Sequence, residues 1–366
     1  MENTEHLRKT ALNLERVVAE LGASFRRNGS MQNESQHFDN LEKTTRFLQQ
    51  IVAGFRANHK LSKSELHDLG PSDDSKVHGK SSPTPNTVGN PKLEFIPSRL
   101  NILQIPGPFP FLMATMQEGV PYADGDVAQQ RILSMLQLHD KCSQNKNVFV
   151  VDVGGFLGDF GLSAAAAGCK VIIFEVQPKM VEIIKLSVRL NNFEHLVDVR
   201  HNAVSAIGGN SLCFHEAGGQ TNTDTPIGNE QKFCVETIRL DSVLESVESV
   251  VMLKVDVEGH ELGVLKSASD SISQGKISNI ITEFTAWWTD RDSQDKYLSY
   301  LHSLAHSTVY CLHRTGPEIY GPLSSDISDS FFNNHLTRHL QTDFLVTLAG
   351  HEWLSGVTPW SPDVLA

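Results

Sequence analysis

Leu253-Lys254-Val255-Asp256-Val257-Glu258-Gly259-His260-Glu261 decides how the rest of the chain reads, together with Val148-Phe149-Val150-Val151-Asp152-Val153-Gly154-Gly155-Phe156-Leu157-Gly158 upstream. Each is an apolar, β-branched run that ends in carboxylate and glycine and then opens a helical pattern. A strand ending this way leaves charged side chains and bare backbone at the carboxyl edge of a parallel sheet, where α/β folds bind ligands. Two such edges in one chain predict a cofactor site beside a reaction site.

Outward from these stretches the periodicities alternate. Val148–Val153 reads as a buried strand, Gly158–Ala167 as a helix of small residues and Lys170–Glu175 as a strand. Pro178–Asn191 follows as a helix with proline near its start, where the missing N–H costs nothing. Val197–Arg200 is a short strand, and a Gly/Thr/Asn-rich loop at 216–230 interrupts a hairpin. Val250–Asp256 (strand), Gly259–Asp270 (helix), Ile277–Phe284 (strand) and Gln294–Ala305 (helix) continue the pattern. Thr308–His313 and Phe344–Leu348 close it as strands. Such alternation, with right-handed crossovers, gives an α/β fold with a mostly parallel sheet covered on both faces.

The first 92 residues read differently. Leu7, Ala11, Leu14, Val18, Leu21 and Phe25 step by four and three as an a/d seam, and Leu41, Leu48, Ile51 and Phe55 continue a similar stripe. Residues 1–60 are therefore expected to be a helical arm, either packing as a hairpin or supporting self-association. Residues 61–92 turn to Ser, Pro, Gly, Asn and Lys, too poor in apolar surface to order themselves, and read as a linker. The domain proper is expected over 93–366, with its core at 145–350.

Composition narrows the function classes. The net charge of −12 is uneven: residues 1–60 balance to +2 and the remainder to −14. An acidic body repels phosphate backbones, so no nucleic-acid partner is expected. No apolar run reaches the roughly 18 residues of a spanning helix, so no membrane span is expected either. Met1-Glu-Asn-Thr-Glu-His-Leu-Arg lacks an apolar core of the signal-peptide kind. The five cysteines are odd in number, scattered and free of C-x-x-C pairs, which leads to an expectation of free thiols in a cytoplasmic protein.

Asp152-Val153-Gly154-Gly155-Phe156-Leu157-Gly158 lacks the G-x-G-x-x-G spacing of a dinucleotide site, because Phe156 stands where the second glycine belongs. What remains is D-x-G-x-x-x-G. A carboxylate just before the turn repels a pyrophosphate but suits a cationic ligand such as S-adenosyl-L-methionine. Glu175 ends the next strand, 17 residues past Gly158, where an acid can accept both hydroxyls of a ribose. Asn202 follows the third strand and is a candidate for the adenine edge.

These residues, with Asn191-Asn192, Leu240-Asp241-Ser242-Val243-Leu244 and above all the block Lys254-x-Asp256-x-Glu258-Gly259-x-Glu261, resemble the FkbM-type methyltransferases over about residues 145–350. The resemblance implies a class I, Rossmann-like sheet, mostly parallel with one antiparallel strand and flanked by helices. It implies S-adenosyl-L-methionine as cofactor, held by Asp152, Gly154, Gly155, Gly158, Glu175 and Asn202. It also implies methylation of hydroxyl oxygens on a small-molecule, glycan or lipid acceptor. Two departures stand out: Gly155-Phe156 replaces the family's usual Ala-Asn, and Glu175-Val176-Gln177-Pro178 replaces Glu-Pro.

A hydroxyl is a poor nucleophile until a base takes its proton. Asp256, Glu258 and His260 alternate at the end of the fourth strand and are the expected catalytic set. All three share one side if the strand persists. Lys254 is expected to pair with one of the carboxylates. Asp256, Glu258 and Glu283 have oxygens that suit Mg²⁺, yet nothing in their spacing demands it, and no metal is expected. Trp287 and Trp288 are candidates for stacking on a sugar or on the sulfonium. The rival class is a catalytically inactive cofactor-binding scaffold acting through the helical arm, with Phe156 as its motive.

Overall fold

The computed structural model describes residues 101–105, 109, 111–115, 126–145, 147–217, 220–222, 232–288 and 291–363. The expected helical arm at 1–60 and linker at 61–92 lie outside the described residues, as do parts of 100–125 and 216–230. The chain falls into two compact units, Met1–Ile102 with Ala114–Glu118, and Leu103–Met113 with Gly119–Ala366. The elements that build the site belong to the second.

Strands β1 (Asn101–Ile105) and β2 (Phe111–Thr115) pair, and helices α1 (Asp126–Met135) and α2 (Leu138–Gln144) follow. Then come β3 (Val148–Val153), α3 (Asp159–Ala166), β4 (Lys170–Phe174), α4 (Pro178–Leu190), β5 (Val197–Arg200) and β6 (Ala203–Val204). The next stretch holds β7 (Ser211–Ala217), β8 (Gln220–Asn222), β9 (Lys232–Ile238), α5 (Leu240–Leu244) and β10 (Ser249–Val255). After it run α6 (Glu261–Ser267), α7 (Ser269–Ser273), β11 (Asn279–Thr285), α8 (Tyr297–Ser303), β12 (Thr308–Leu312) and β13 (Ile319–Leu323). The fold ends with α9 (Ser328–Arg338), β14 (Gln341–Thr347) and β15 (Val357–Thr358).

The main sheet has nine strands in the order β15-β13-β12-β14-β11-β10-β3-β4-β5. From β5 to β11 every pairing is parallel, and the order reverses at β3, which makes a crevice at the carboxyl ends of β3 and β10. Strand β14 inserts antiparallel between β11 and β12, and an antiparallel strand is part of the expected sheet. The edge strands β13 and β15 also run against the parallel set, beyond the single antiparallel strand of the sequence reading. A smaller sheet, β6-β9-β7-β8, carries the hairpin.

Local sequence explains the elements next to the crevice. Helix α4 starts at Pro178 and buries Met180, Val181, Ile183, Ile184, Leu186, Val188 and Leu190. The Asn191-Asn192 pair closes it. Asn192 takes the left-handed conformation (φ 56°) that asparagine tolerates. The Asn191 amide donates to Leu112 O at 2.7 Å and to Ser187 O at 2.7 Å, while its carbonyl accepts Leu112 N at 2.8 Å. One asparagine ends the helix and the other ties it to β2.

The cysteine expectation is overturned. Cys142 in α2 bonds Cys169 ahead of β4, and Cys213 bonds Cys234, its direct cross-strand partner on β7 and β9. Cys311 alone is free and buried. Spacings of 27 and 21 residues carry no local signature; the pairing comes from the fold, which brings the Cα atoms to 4.9 and 4.0 Å. With two cystines, the thiol-based argument for a reducing compartment falls, since cystines persist chiefly in oxidising ones. Among the described residues, no helix is long and apolar enough to cross a membrane.

Candidate active site

At the first edge, Asp152 is buried near the end of β3. Its Oδ2 accepts Gly161 N at 3.0 Å, from the first turns of α3, while its Oδ1 has no hydrogen-bond partner and lies 3.8 Å from Lys254 Nζ. Burial pushes its carboxyl up to about 6, against the pull of Lys254. Gly154 and Gly158 take φ of +83° and +79°, open to glycine at no steric cost. Phe156 has φ 46°, a left-handed backbone that asparagine tolerates better than phenylalanine. Glu175 is buried, its Oε2 accepting Phe156 N and its Oε1 accepting Gln177 N, both at 2.7 Å. Burial raises its pKa despite these bonds. It holds the glycine turn closed from below.

The second edge is packed on the first. Asp256 N donates to Val153 O at 2.9 Å, and a Cβ built on Gly154 would stand 1.7 Å from Asp256 O. Strand β10 stops at Val255, and Glu258 (φ 56°) and Gly259 (φ 94°) turn the chain into α6. The expected alternation of Asp256, Glu258 and His260 therefore ends before it acts: Asp256 and Glu258 are half-buried and His260 is exposed at the helix N-cap. Glu261, absent from the expected catalytic set, secures the turn by accepting Val257 N at 3.1 Å and Gly259 N at 2.9 Å. Arg291 closes it from above. Its guanidinium donates to Glu258 O and lies 4.4 Å over the Trp288 ring, so that ring face already carries a cation. Trp287 packs at 5.4 Å from His339.

Strand register extends this site across the sheet. Asp152 is level with Lys254, and on the neighbouring strands Glu283 is level with Asp343 and Thr285 with Gln341. Alternation places these on one face. Gln341 donates to Glu283 Oε1, Arg314 lies 3.9 Å from it, and Gln129 of α1 donates to Asp343 Oδ2 at 2.8 Å. Lys254 Nζ lies 3.2 Å from Asp256 Oδ2 as well as near Asp152. Burial first, and Asp256 second, push Glu258 up to about 7; Arg291, Arg314 and Lys254 pull the other way. Burial likewise raises Glu261 to about 8 and drives Glu283 well above the ordinary carboxylate range.

Asn202 lies beside this region, but its side chain donates to Glu236 O at 3.2 Å, tying the loop to β9. Among the described residues no group of His, Cys, Asp and Glu is arranged to hold a metal ion. Gln129, Arg291, Arg314, Gln341 and Asp343 were not among the expected site residues. Only the register of β11 against β14 and the packing of α1 bring them in.

Residues 152–308, which hold both edges, match the model of the methyltransferase FkbM domain. This stretch is similar to the methyltransferase FkbM domain. The match begins at Asp152 and ends at Thr308, the first residue of β12, so α1, β14 and Arg314 are additions outside it. None of the curated proteins matches the sequence. Among solved structures, the O-methyltransferase from Bacillus cereus in complex with SAH is 11% identical over 64% of this chain and 83% of its own, at a TM-score of 0.36. Cofactor-bound Rv0187 from MTB is 11% identical over 61% and 80%, at 0.35. The bifunctional kinase-methyltransferase WbdD is 12% identical over 60% of this chain and 39% of its own, at 0.34. Likeness at this level carries no argument; the strand order does.

Proposed function

We propose that the chain transfers a methyl group from S-adenosyl-L-methionine to a hydroxyl oxygen of a small-molecule, glycan or lipid acceptor. The observation that carries this reading is the contact between the two edges. A buried carboxylate with an unpartnered oxygen lies under a left-handed glycine turn, and that turn is packed backbone to backbone on the Asp256–Glu258 turn. This donor set fits a cationic nucleoside: Asp152 Oδ1 needs a donor, Glu175 keeps unused lone pairs, and Gly154 and Gly158 leave the backbone bare.

When bound, the cofactor supplies a methyl carbon already activated by its sulfonium. The chain's own work is alignment and proton transfer. Asp152, Gly154, Gly155, Gly158 and Glu175 shape the donor side, with Asn202 holding the adjoining loop. Asp256 and Glu258 serve the acceptor. A carboxylate here would take the proton that an acceptor hydroxyl gives up. Glu258, lifted to about 7, has the proton affinity a base needs near neutral pH. His260 stands further out, exposed at the start of α6, at the rim of an acceptor bound there.

The test is methyl transfer from tritiated S-adenosyl-L-methionine to a panel of sugars, polyols and lipid alcohols. Transfer should fall about 100-fold or more in Glu258→Gln if Glu258 is the base. Transfer to amines or thiols alone, at wild-type rate in Glu258→Gln and Asp256→Asn, contradicts the hydroxyl reading.

A further inference from the structure

Lys254 occupies an unusual place. It is nearly buried on β10, level with Asp152 on β3, and its ammonium stands between two carboxylates that serve different halves of the site. Asp152 Oδ1 is 3.8 Å away on the donor side and Asp256 Oδ2 is 3.2 Å away on the acceptor side. Asp152 is wholly buried and Asp256 half-buried, so the ammonium links a dry carboxylate to one that meets solvent.

We propose that Lys254 is a positioning residue that joins the two halves of the site. Its ammonium hands the positive charge of a bound donor on to the acceptor-side carboxylates, so that a cationic ligand releases a proton from them and the neutral thioether product does not. This rests on the cofactor reading above. The physical argument is a competition. A cation settling against Asp152 takes over that carboxylate and leaves more of the Lys254 charge to Asp256, with the buried Asp159 at the start of α3 as the remaining competitor for it. Asp256, once offset, no longer raises the proton affinity of Glu258 two residues on. The other charges acting on Glu258 are Arg291 beyond β11 and Arg314 beyond β12, and Glu283 on β11 feels Glu258 together with Glu261 on α6 and Asp343 on β14. Asp152 itself feels Lys254 first among charges, then Asp159 and Asp256, so Lys254 is the cation shared by the two halves.

The consequence is that the base is freed of its proton when the methyl donor arrives and takes it up again when only the thioether remains. Glu258 titrates near 7, so the effect is read best at neutral pH. For a one-unit shift, about 0.4 proton leaves per site at pH 7.

The test is isothermal titration of the full chain at pH 7 with S-adenosylhomocysteine and with sinefungin, whose ammonium replaces the sulfonium. Each ligand is run in phosphate and in Tris, and the difference in heat counts the protons exchanged. Sinefungin should release a few tenths of a proton more than S-adenosylhomocysteine. Lys254→Met should lose at least half of that difference and Lys254→Arg should keep it. Binding of S-adenosylhomocysteine by Lys254→Met shows that the variant is folded. Equal proton counts for the two ligands in the wild type overturn the coupling whatever the variants do. A full difference in Lys254→Met overturns the role of Lys254. No binding of either ligand by folded wild type overturns the cofactor reading itself.

Discussion

The two faces of the nine-stranded sheet are made by the same strands, yet they are built to opposite rules. One face carries Val151, Val153, Ile172, Phe174, Leu253, Val255, Ile280, Phe284, Phe344 and Val346, closed by α5, α6, α8 and α9 into one apolar cluster. Its hydroxyls are paired, Thr282 with Tyr297 at 2.5 Å and Thr342 with Cys311 at 3.2 Å, and the buried atoms without a partner in the cluster are ring nitrogens, His335 Nε2 and Trp360 Nε1. The alternate residues of β3, β10, β11 and β14 put Asp152, Lys254, Glu283, Thr285 and Asp343 on the other face. There, buried oxygens of Asp152, Glu283 and Thr285 have no partner. An orphaned buried acceptor costs about 1–3 kcal/mol. The first face is spent on stability, and the second gives up stability to keep acceptors ready for a ligand.

The largest effect that separates the faces is expected on the dry one. Phe284 packs on Phe344 at 5.1 Å and Phe331 at 5.9 Å, and Phe284→Ala should cost about 3–5 kcal/mol in urea unfolding. A loss under about 1 kcal/mol means the cluster is not the seat of stability. On the wet face, Asp152→Asn keeps the shape and the Gly161 bond but removes a buried charge. Its stability should stay within about 1 kcal/mol of wild type or rise. Ligand affinity should instead fall tenfold or more, about 1.4 kcal/mol. Equal loss of stability in both variants erases the distinction.

The pH dependence belongs to the wet face. Asp152, Glu258 and Glu261 titrate at about 6, 7 and 8, above their ordinary range. Raised carboxyl values mean that their stabilisation is complete below the ordinary carboxylate pKa. It is lost as pH climbs through 6 to 8. His335, stacked 4.0 Å from Phe331 and lowered to about 4, acts in the opposite sense, its contribution lost as pH falls from the ordinary histidine value toward 4. Melting temperature should therefore be higher at pH 6 than at pH 8.5, with a shallower slope in Glu258→Gln. A melting temperature that rises with pH over this window contradicts the buried-carboxylate account. The smallest effect is at Phe156: replacing it with asparagine relieves the left-handed backbone and should gain about 1 kcal/mol in urea unfolding. A loss means the ring is packed to advantage.

The same contrast explains what a single sequence discloses. The dry face is written locally: β3, β4, β10 and β11 and helix α4 are apolar runs with strong punctuation, and their positions agree with the sequence reading to within a residue or two. Helix α9, Ser328–Arg338, is written as polar turn chemistry with Asn333-Asn334 inside it. It is helical because Phe331 buries against Phe284, Phe344 and Trp360, and tertiary packing overrides propensity. The site divides likewise. Asp152, Gly154, Glu175, Asp256 and Glu258 stand at strand ends, where sequence points directly. Glu283 beside Asp343, and Gln129 reaching Asp343, depend on an antiparallel register and a helix placement that no local pattern records. The cystines were hidden for the same reason.

The most direct measurement is calorimetric titration of the full chain with S-adenosylhomocysteine, repeated on Asp152→Asn with folding checked by circular dichroism. Micromolar binding by the wild type, weakened at least tenfold in a folded Asp152→Asn, is the result the account predicts. A folded wild type that does not bind, or an Asp152→Asn variant that binds equally well, contradicts it.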